Sequence, residues 1–193
     1  MRGLNIFIRV CLCAMLVYVF TACRYQEIFS DDYPEGKIYL PIAAKGIVYT
    51  IDEITQASST NPTPGSTFQY KIDREANQFI IPLAIYRSGI NPGSAISVRI
   101  SEDTEIVSSL IEEMLLEDEV EVLPSGKYTL NQTVAMAKGQ ETAQFELIVD
   151  LQFLLDRAPQ KHALGITVSC EEQECNPDLN TVVVVVDTKI LLP

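Results

Sequence analysis

EVEVLPSGKYTLNQTVAMAKGQETAQFELIVD, residues 119–150, carries four short β-favouring runs separated by turn signals. Glu119–Leu123 and Lys127–Leu130 are joined by Pro124-Ser125-Gly126, a turn by its residue types. Thr133–Ala137 and Thr142–Asp150 flank Lys138-Gly139-Gln140, which reads as a hairpin. Short strands with frequent turns and no helical period point to an all-β chain.

The same pattern extends in both directions. Towards the amino terminus, Ile96, Val98 and Ile100 alternate with Ser97, Arg99 and Ser101, the mark of a half-buried strand. Gln78–Tyr86 is almost continuously apolar, so both of its faces are expected to be covered. Thr67–Asp73 places Phe68, Tyr70 and Ile72 on one face, and Ser58–Gly65 is a loop by composition. Lys37–Ile42 and Gly46–Ile51 read as strands around a break at Ala43–Lys45. Towards the carboxyl terminus, Leu151–Arg157 reads as one helical turn stopped by Pro159. Ala163–Ser169 and Thr181–Leu192 are the last two strands, and the apolar run Val182–Val186 belongs inside a sheet. One segment breaks the rule. In Asp103–Leu116, Ile106, Val107, Leu110, Ile111, Met114 and Leu115 recur at helical spacing, with Ser101 or Asp103 able to cap the start. About nine strands and one short inserted helix predict an all-β sandwich over residues 37–193.

The first residues carry an address. Arg2 and Arg9 precede the uncharged run Val10–Phe20, and Thr21-Ala22 narrow the chain before Cys23. That order is a secretory signal over residues 1–22. The run is shorter than the ~20 apolar residues that span a bilayer. Val19-Phe20-Thr21-Ala22-Cys23 resembles a lipobox, which makes Cys23 the lipidated first residue of the mature protein. Phe20 stands where the pattern prefers an aliphatic; the other reading is a signal cut elsewhere with Cys23 a free thiol. Residues 23–36 are polar and without period, a tether that stands the domain off the membrane. Asp31-Asp32 soon after Cys23 resembles a surface-export signal, so the expected location is the outer membrane, held by lipid.

Charge narrows the partners. The chain has 14 Lys+Arg against 26 Asp+Glu, a formal net charge of −12, and cleavage would remove two arginines and no acid. Nucleic acid and anionic headgroups are poor partners for such a surface. After cleavage, Cys170 and Cys175 accompany Cys23. An even pair in an exported chain reads as a disulfide; the rival is a metal pair, for which C-x4-C with one histidine is a poor zinc pattern.

Candidate chemistry is sparse. His162 is the only histidine, so a Ser-His-Asp or Cys-His site would have to use it; beside Lys161 it reads as a surface residue. Glu112, Glu113, Glu117, Asp118, Glu119 and Glu121 cluster without the spacing of a calcium loop and read as a solvated face. No phosphate loop or dinucleotide fingerprint occurs, and no cofactor or metal is expected. The chain has no Trp. Tyr39, Tyr49, Tyr70 and Tyr86 fall in strands, which leaves Tyr128 and Phe153 as candidate exposed platforms for a ligand.

The order of motifs resembles the immunoglobulin-like domain found at the amino terminus of many Bacteroidetes surface lipoproteins. The motifs are Tyr39-Leu40-Pro41; Ile85-Tyr86-Arg87-Ser88-Gly89; Val122-Leu123-Pro124-Ser125-Gly126-Lys127-Tyr128-Thr129-Leu130; Lys138-Gly139-Gln140; and Leu164-Gly165-Ile166, then Asn180 and the valine strand. They cover roughly residues 37–192. The resemblance implies an immunoglobulin-like β-sandwich. It also implies association with glycan capture, because the family's domain usually precedes carbohydrate-binding or glycoside-hydrolase modules. Since the sequence ends where the resemblance ends, the family's enzymatic associations are not carried over. The expectation is a non-enzymatic, lipid-anchored module that binds glycan or an outer-membrane protein; the alternatives are an accessory lipoprotein packed against an outer-membrane complex and, ranked last, a glycoside hydrolase.

Overall fold

The computed structural model describes residues 36–53, 69–89 and 93–192. The signal segment, Cys23, nearly all of the tether, the Ser58–Gly65 loop and Phe68 lie outside the described residues. Among the described residues no helix is long and apolar enough to cross a membrane.

Among the described residues eleven strands form two sheets. The first contains β1 (Ile38–Tyr39), β3 (Lys71–Asp73), β4 (Gln78–Arg87), β7 (Tyr128–Leu130) and β9 (Thr142–Asp150). Its order is β1-β4-β9-β7, with β3 also on β4. The second contains β2 (Val48–Ile51), β5 (Ile96–Glu102), β6 (Val120–Val122), β8 (Thr133–Met136), β10 (Lys161–Cys170) and β11 (Thr181–Asp187). Its order is β2-β11-β10-β5-β8, and β6 joins β10 in parallel. The fold is an all-β sandwich.

Alternation builds the core between the sheets. Phe79, Ile81, Leu83 and Ile85 of β4 face inward with Ala143, Phe145, Leu147 and Val149 of β9. Val98 and Ile100 meet them from β5, with Leu164, Ile166 and Val168 from β10 and Val182, Val184 and Val186 from β11. Each of these side chains larger than alanine, fully buried, contributes about 1.5–3 kcal/mol.

The two unbroken apolar runs are covered on both faces. The outward valines of β11, Val183 and Val185, lie under α1 (Glu105–Glu112) with Ala163, Val107 and Leu110. The N-cap position is Thr104, whose side chain makes no capping bond; Asp103, one residue earlier, accepts from Ile106 N through Oδ1 (3.2 Å). On β4, Ile80 and Ala84 are buried on the outer face.

Four expectations are corrected. The strand read over Lys37–Ile42 ends at Tyr39, and a 3-10 turn runs over Pro41–Lys45, because proline has no N–H for a ladder. The helix read to Leu116 ends at Glu112, and Met114 takes a left-handed conformation (φ 58°) beyond it. Leu151–Arg157 is a second helix, α2, of seven residues. Asp150 caps it, accepting from Phe153 N at 3.0 Å. Finally, Lys138-Gly139-Gln140 does not join a hairpin. β8 pairs with β5 in one sheet, while β9 pairs with β4 and β7 in the other. The tight turn, closed by Gln140 N→Ala137 O (3.0 Å), carries the chain between sheets. Pro124-Ser125-Gly126 does the same between β6 and β7.

Candidate functional site

These two crossings leave one side of the sandwich open. β7 is the edge of the first sheet. Opposite it, β8 covers β5 only along Ile96–Arg99, so Ile100–Glu102 continue past their partner. Ile100 N donates to Gln132 O (2.8 Å), which folds the β7–β8 connection over that end. The result is a groove of about 610 Å³ whose walls include Arg99, Ser101, Glu102, Tyr128, Gln132 and Thr133. The strand pattern explains the lining: Ile96, Val98 and Ile100 are buried, while Ser97, Arg99, Ser101 and Glu102 are exposed.

Tyr128 is half-buried in this groove, and its hydroxyl donates to the Glu102 carboxylate. One aromatic ring is thus fixed beside a carboxylate, a guanidinium, an amide and two hydroxyls. An apolar face flanked by a few polar groups is the usual make-up of a small-ligand site.

A second hollow of about 260 Å³ adjoins the first and shares Arg99 and Thr133 with it; Ser97, Ser169, Cys170, Glu171 and Glu172 complete it. Arg99 lies 3.5 Å from Glu171 across an exposed contact. A third hollow, of about 250 Å³, is apolar and is lined by Pro41, Ile42, Tyr49, Pro82, Leu83 and Ala84 among others.

Phe153, the other candidate platform, does not line the groove. It is half-buried on α2. Its ring lies 4.9 Å from the His162 ring, with Lys127 Nζ at 5.7 Å and the Arg157 guanidinium at 5.9 Å. The groove around Tyr128 thus does not include Phe153. The strand tyrosines are structural: Tyr70 stacks on Phe79 (4.6 Å) and Tyr39 meets Tyr86 edge-on (5.3 Å). Burial pushes the Tyr49 phenol up from its ordinary value.

His162 is not a surface residue. It is fully buried on β10, paired with Val186 on one side and Glu121 on the other. Neither ring nitrogen has a hydrogen-bond partner. Burial pushes its pKa below the ordinary value, against the opposing pull of Glu121, whose Oε2 is 3.9 Å from Nδ1. An imidazole held neutral, buried and away from every hollow named above is a core residue.

The acidic cluster is a solvated face. Glu112, Glu113, Glu117, Asp118, Glu119 and Glu121 are exposed. Lys161 lies 2.5 Å from Glu117 and holds its carboxyl below the usual range. Among the described residues no three His, Cys, Asp or Glu side chains are grouped to hold a metal ion. Cys170 and Cys175 are free thiols here, both partly buried.

Arg99, Ser101, Glu102 and Gln132 were not singled out as site residues from the sequence. Their only local signal was the outward phase of Ser97-Val98-Arg99-Ile100-Ser101; their meeting with Tyr128 depends on the turn of the chain between sheets.

The chain was compared with known proteins. No curated protein matches it. Among solved structures, a Bacteroides ovatus protein described as a candidate carbohydrate-binding protein superposes with a TM-score of 0.54 at 14% identity, over 78% of this chain and 36% of that one. An auxiliary nutrient binding protein from Bacteroides thetaiotaomicron gives 0.50 at 15% identity, over 74% and 44%. A Bacteroides ovatus protein of unknown function gives 0.51 at 16%, over 79% and 45%. This chain therefore spans less than half the length of these three structures, and at such identities the likeness establishes the fold. A family model described as an N-terminal domain matches residues 33–174. That match covers the greater part of the sandwich, including the motifs from Tyr39 to Leu164-Gly165-Ile166, and the chain belongs to this N-terminal-domain family.

Proposed function

We propose that the protein is a lipid-anchored glycan-binding module of the cell envelope, with the Tyr128 groove as its binding site. The observation that carries this reading is the groove itself. A ring held by Glu102 offers a flat apolar face to a sugar, and Arg99, Ser101, Gln132 and Thr133 supply hydrogen-bonding groups around it. A pyranose has the matching character, apolar C–H faces ringed by hydroxyls. Arg99 stands among Glu102, Glu171 and Glu172 on a chain of net charge −12. That balance favours neutral sugars over acidic ones. The carbohydrate-binding and nutrient-binding descriptions of two structural neighbours accord with the same reading.

Anchoring rests on Cys23 and its lipobox-like context. Membrane fractions of cells making Cys23→Ala should lose the protein to the soluble fraction, with no palmitate label incorporated; unchanged partitioning and labelling would contradict the anchor. For the groove, a glycan array probed with purified protein should give a set of neutral oligosaccharides, and Tyr128→Ala should weaken binding to them about tenfold, or ~1.4 kcal/mol. Binding that survives Tyr128→Ala at full strength would move the site elsewhere.

A second reading, an accessory lipoprotein packed against an outer-membrane complex, has one observation in its favour. Met114 and Leu115, adjacent beyond α1, are 90% and 59% exposed. Apolar side chains presented together in this way mark protein contacts. Exchanging both for aspartate would release such a complex and leave glycan binding intact.

A further inference from the structure

Residues 36–40, where the chain joins the sandwich, are held from two sides. On one side is the end of β4: Lys37 N donates to Ser88 Oγ (2.8 Å), and Ser88 N donates to Lys37 O (3.0 Å). The approach is so close that a Cβ on Gly36 would fall 1.8 Å from Ser88 O. On the other side is the segment between β10 and β11. Ile38 N donates to Glu174 O (3.0 Å), Asn176 N to Ile38 O (2.8 Å) and Leu40 N to Leu179 O (2.9 Å). Gln173 Nε2 donates to Gly36 O, and Lys37 Nζ lies 2.7 Å from Glu174. Residues 173–179 thus form a clasp over the first strand, and Cys175 is paired with Ile38 within it.

One thiol, Cys175, lies within the clasp, and the other, Cys170, lies just before it. Cys170 is the last residue of β10, and its register is fixed by pairing with Val98. Cys175, five residues on, packs with Cys170 against the same edge of the core. The two differ in access. Cys170 lines the second hollow, where its Sγ donates to Glu172 Oε2 (3.3 Å). Cys175 is not among the residues that line that hollow.

We propose that Cys170 and Cys175 are an oxidative modification site, closed to a disulfide that locks the clasp on the first strand. The oxidant is an oxidised dithiol enzyme of the envelope. Cys170, the accessible thiol, loses its proton and attacks that enzyme's disulfide, forming a mixed disulfide and releasing one enzyme thiolate. Cys175 then loses its proton and attacks the Cys170 sulfur, and the second enzyme thiolate leaves. Two protons and two electrons pass from the pair, and the enzyme departs reduced. Burial holds both thiols above their ordinary pKa, which slows closure by simple exchange and calls for a reactive partner. The six-residue span adds a local restraint where the tether pulls on the domain.

The test uses full-length protein purified from the membrane without reductant. The tryptic peptide His162–Lys189 contains both cysteines. It should run two hydrogens lighter than its reduced form and take up alkylating reagent only after reduction. Hydrogen exchange at Ile38, Leu40 and Asn176 should then be at least tenfold slower in the oxidised protein than after reduction. The doubly substituted Cys170→Ser, Cys175→Ser protein should match the reduced form. A peptide that alkylates at both cysteines without reduction would overturn the modification. A bridged peptide with unchanged exchange at the three amides would overturn the clasp.

Discussion

Protonating His162 puts a charge into a site with no hydrogen-bond partner for either nitrogen. Burial, with Arg157 acting in the same direction, outweighs the pull of Glu121 at 3.9 Å, so the folded pKa lies below the ordinary 6.5. The unfolded chain therefore binds a proton that the folded chain resists. The linked stability is complete above about pH 6.5 and is lost as pH falls towards the lowered folded value. His162→Leu removes both the proton and the unpaired nitrogens, whose burial costs about 1–3 kcal/mol. Its urea midpoint at pH 5 should equal or exceed that of the parent, and the parent's acid decline below pH 6.5 should flatten. A variant that declines with pH as the parent does would assign the decline to other groups. The sequence hid this residue because Lys161 beside it is charged, while its burial is set by distant β6 and α2. Tyr128 is the opposite case: its candidacy was readable, but its partner Glu102 lies 26 residues away.

The strands with a clear phase were the most legible elements. β5, β9 and β11 follow their alternation or apolar run closely, because burial decides side-chain direction residue by residue. Sheet membership was not legible. A glycine turn looks the same whether it closes a hairpin or passes between sheets, and partners far along the chain settle which. The packing of α1 on β10 gives this level its test. A Cβ at Gly165 would fall 2.1 Å from Asp103 O and 2.3 Å from Ile106 Cγ2. The corner is also bonded there, Asp103 N donating to Gly165 O at 2.9 Å. Gly165→Ala must push the β5–α1 corner outward, at a cost of about 1–3 kcal/mol. Its urea midpoint should fall with m unchanged. Because Glu102 adjoins that corner, glycan binding should weaken as well. An unaltered midpoint would show that the corner yields freely.

At the scale of the molecule, the sandwich turns a closed core into two usable features. One is the open edge where β7 and the end of β5 stand apart; the other is the clasp that holds the first strand. Their placement suits the anchored module proposed above, with the clasped strand at the amino-terminal end of the sandwich and a polar groove on the flank. The central claim is that this groove is where a glycan sits. Titrating isotope-labelled protein with a soluble neutral oligosaccharide chosen from the array, and following amide shifts, tests it most directly. The account predicts saturable shifts confined to Arg99, Ser101, Glu102, Tyr128, Gln132, Thr133 and their neighbours, abolished or weakened about tenfold by Tyr128→Ala. Saturable shifts clustered on the Met114–Leu115 tip or the Pro41–Tyr49 hollow, with the groove silent, would contradict it.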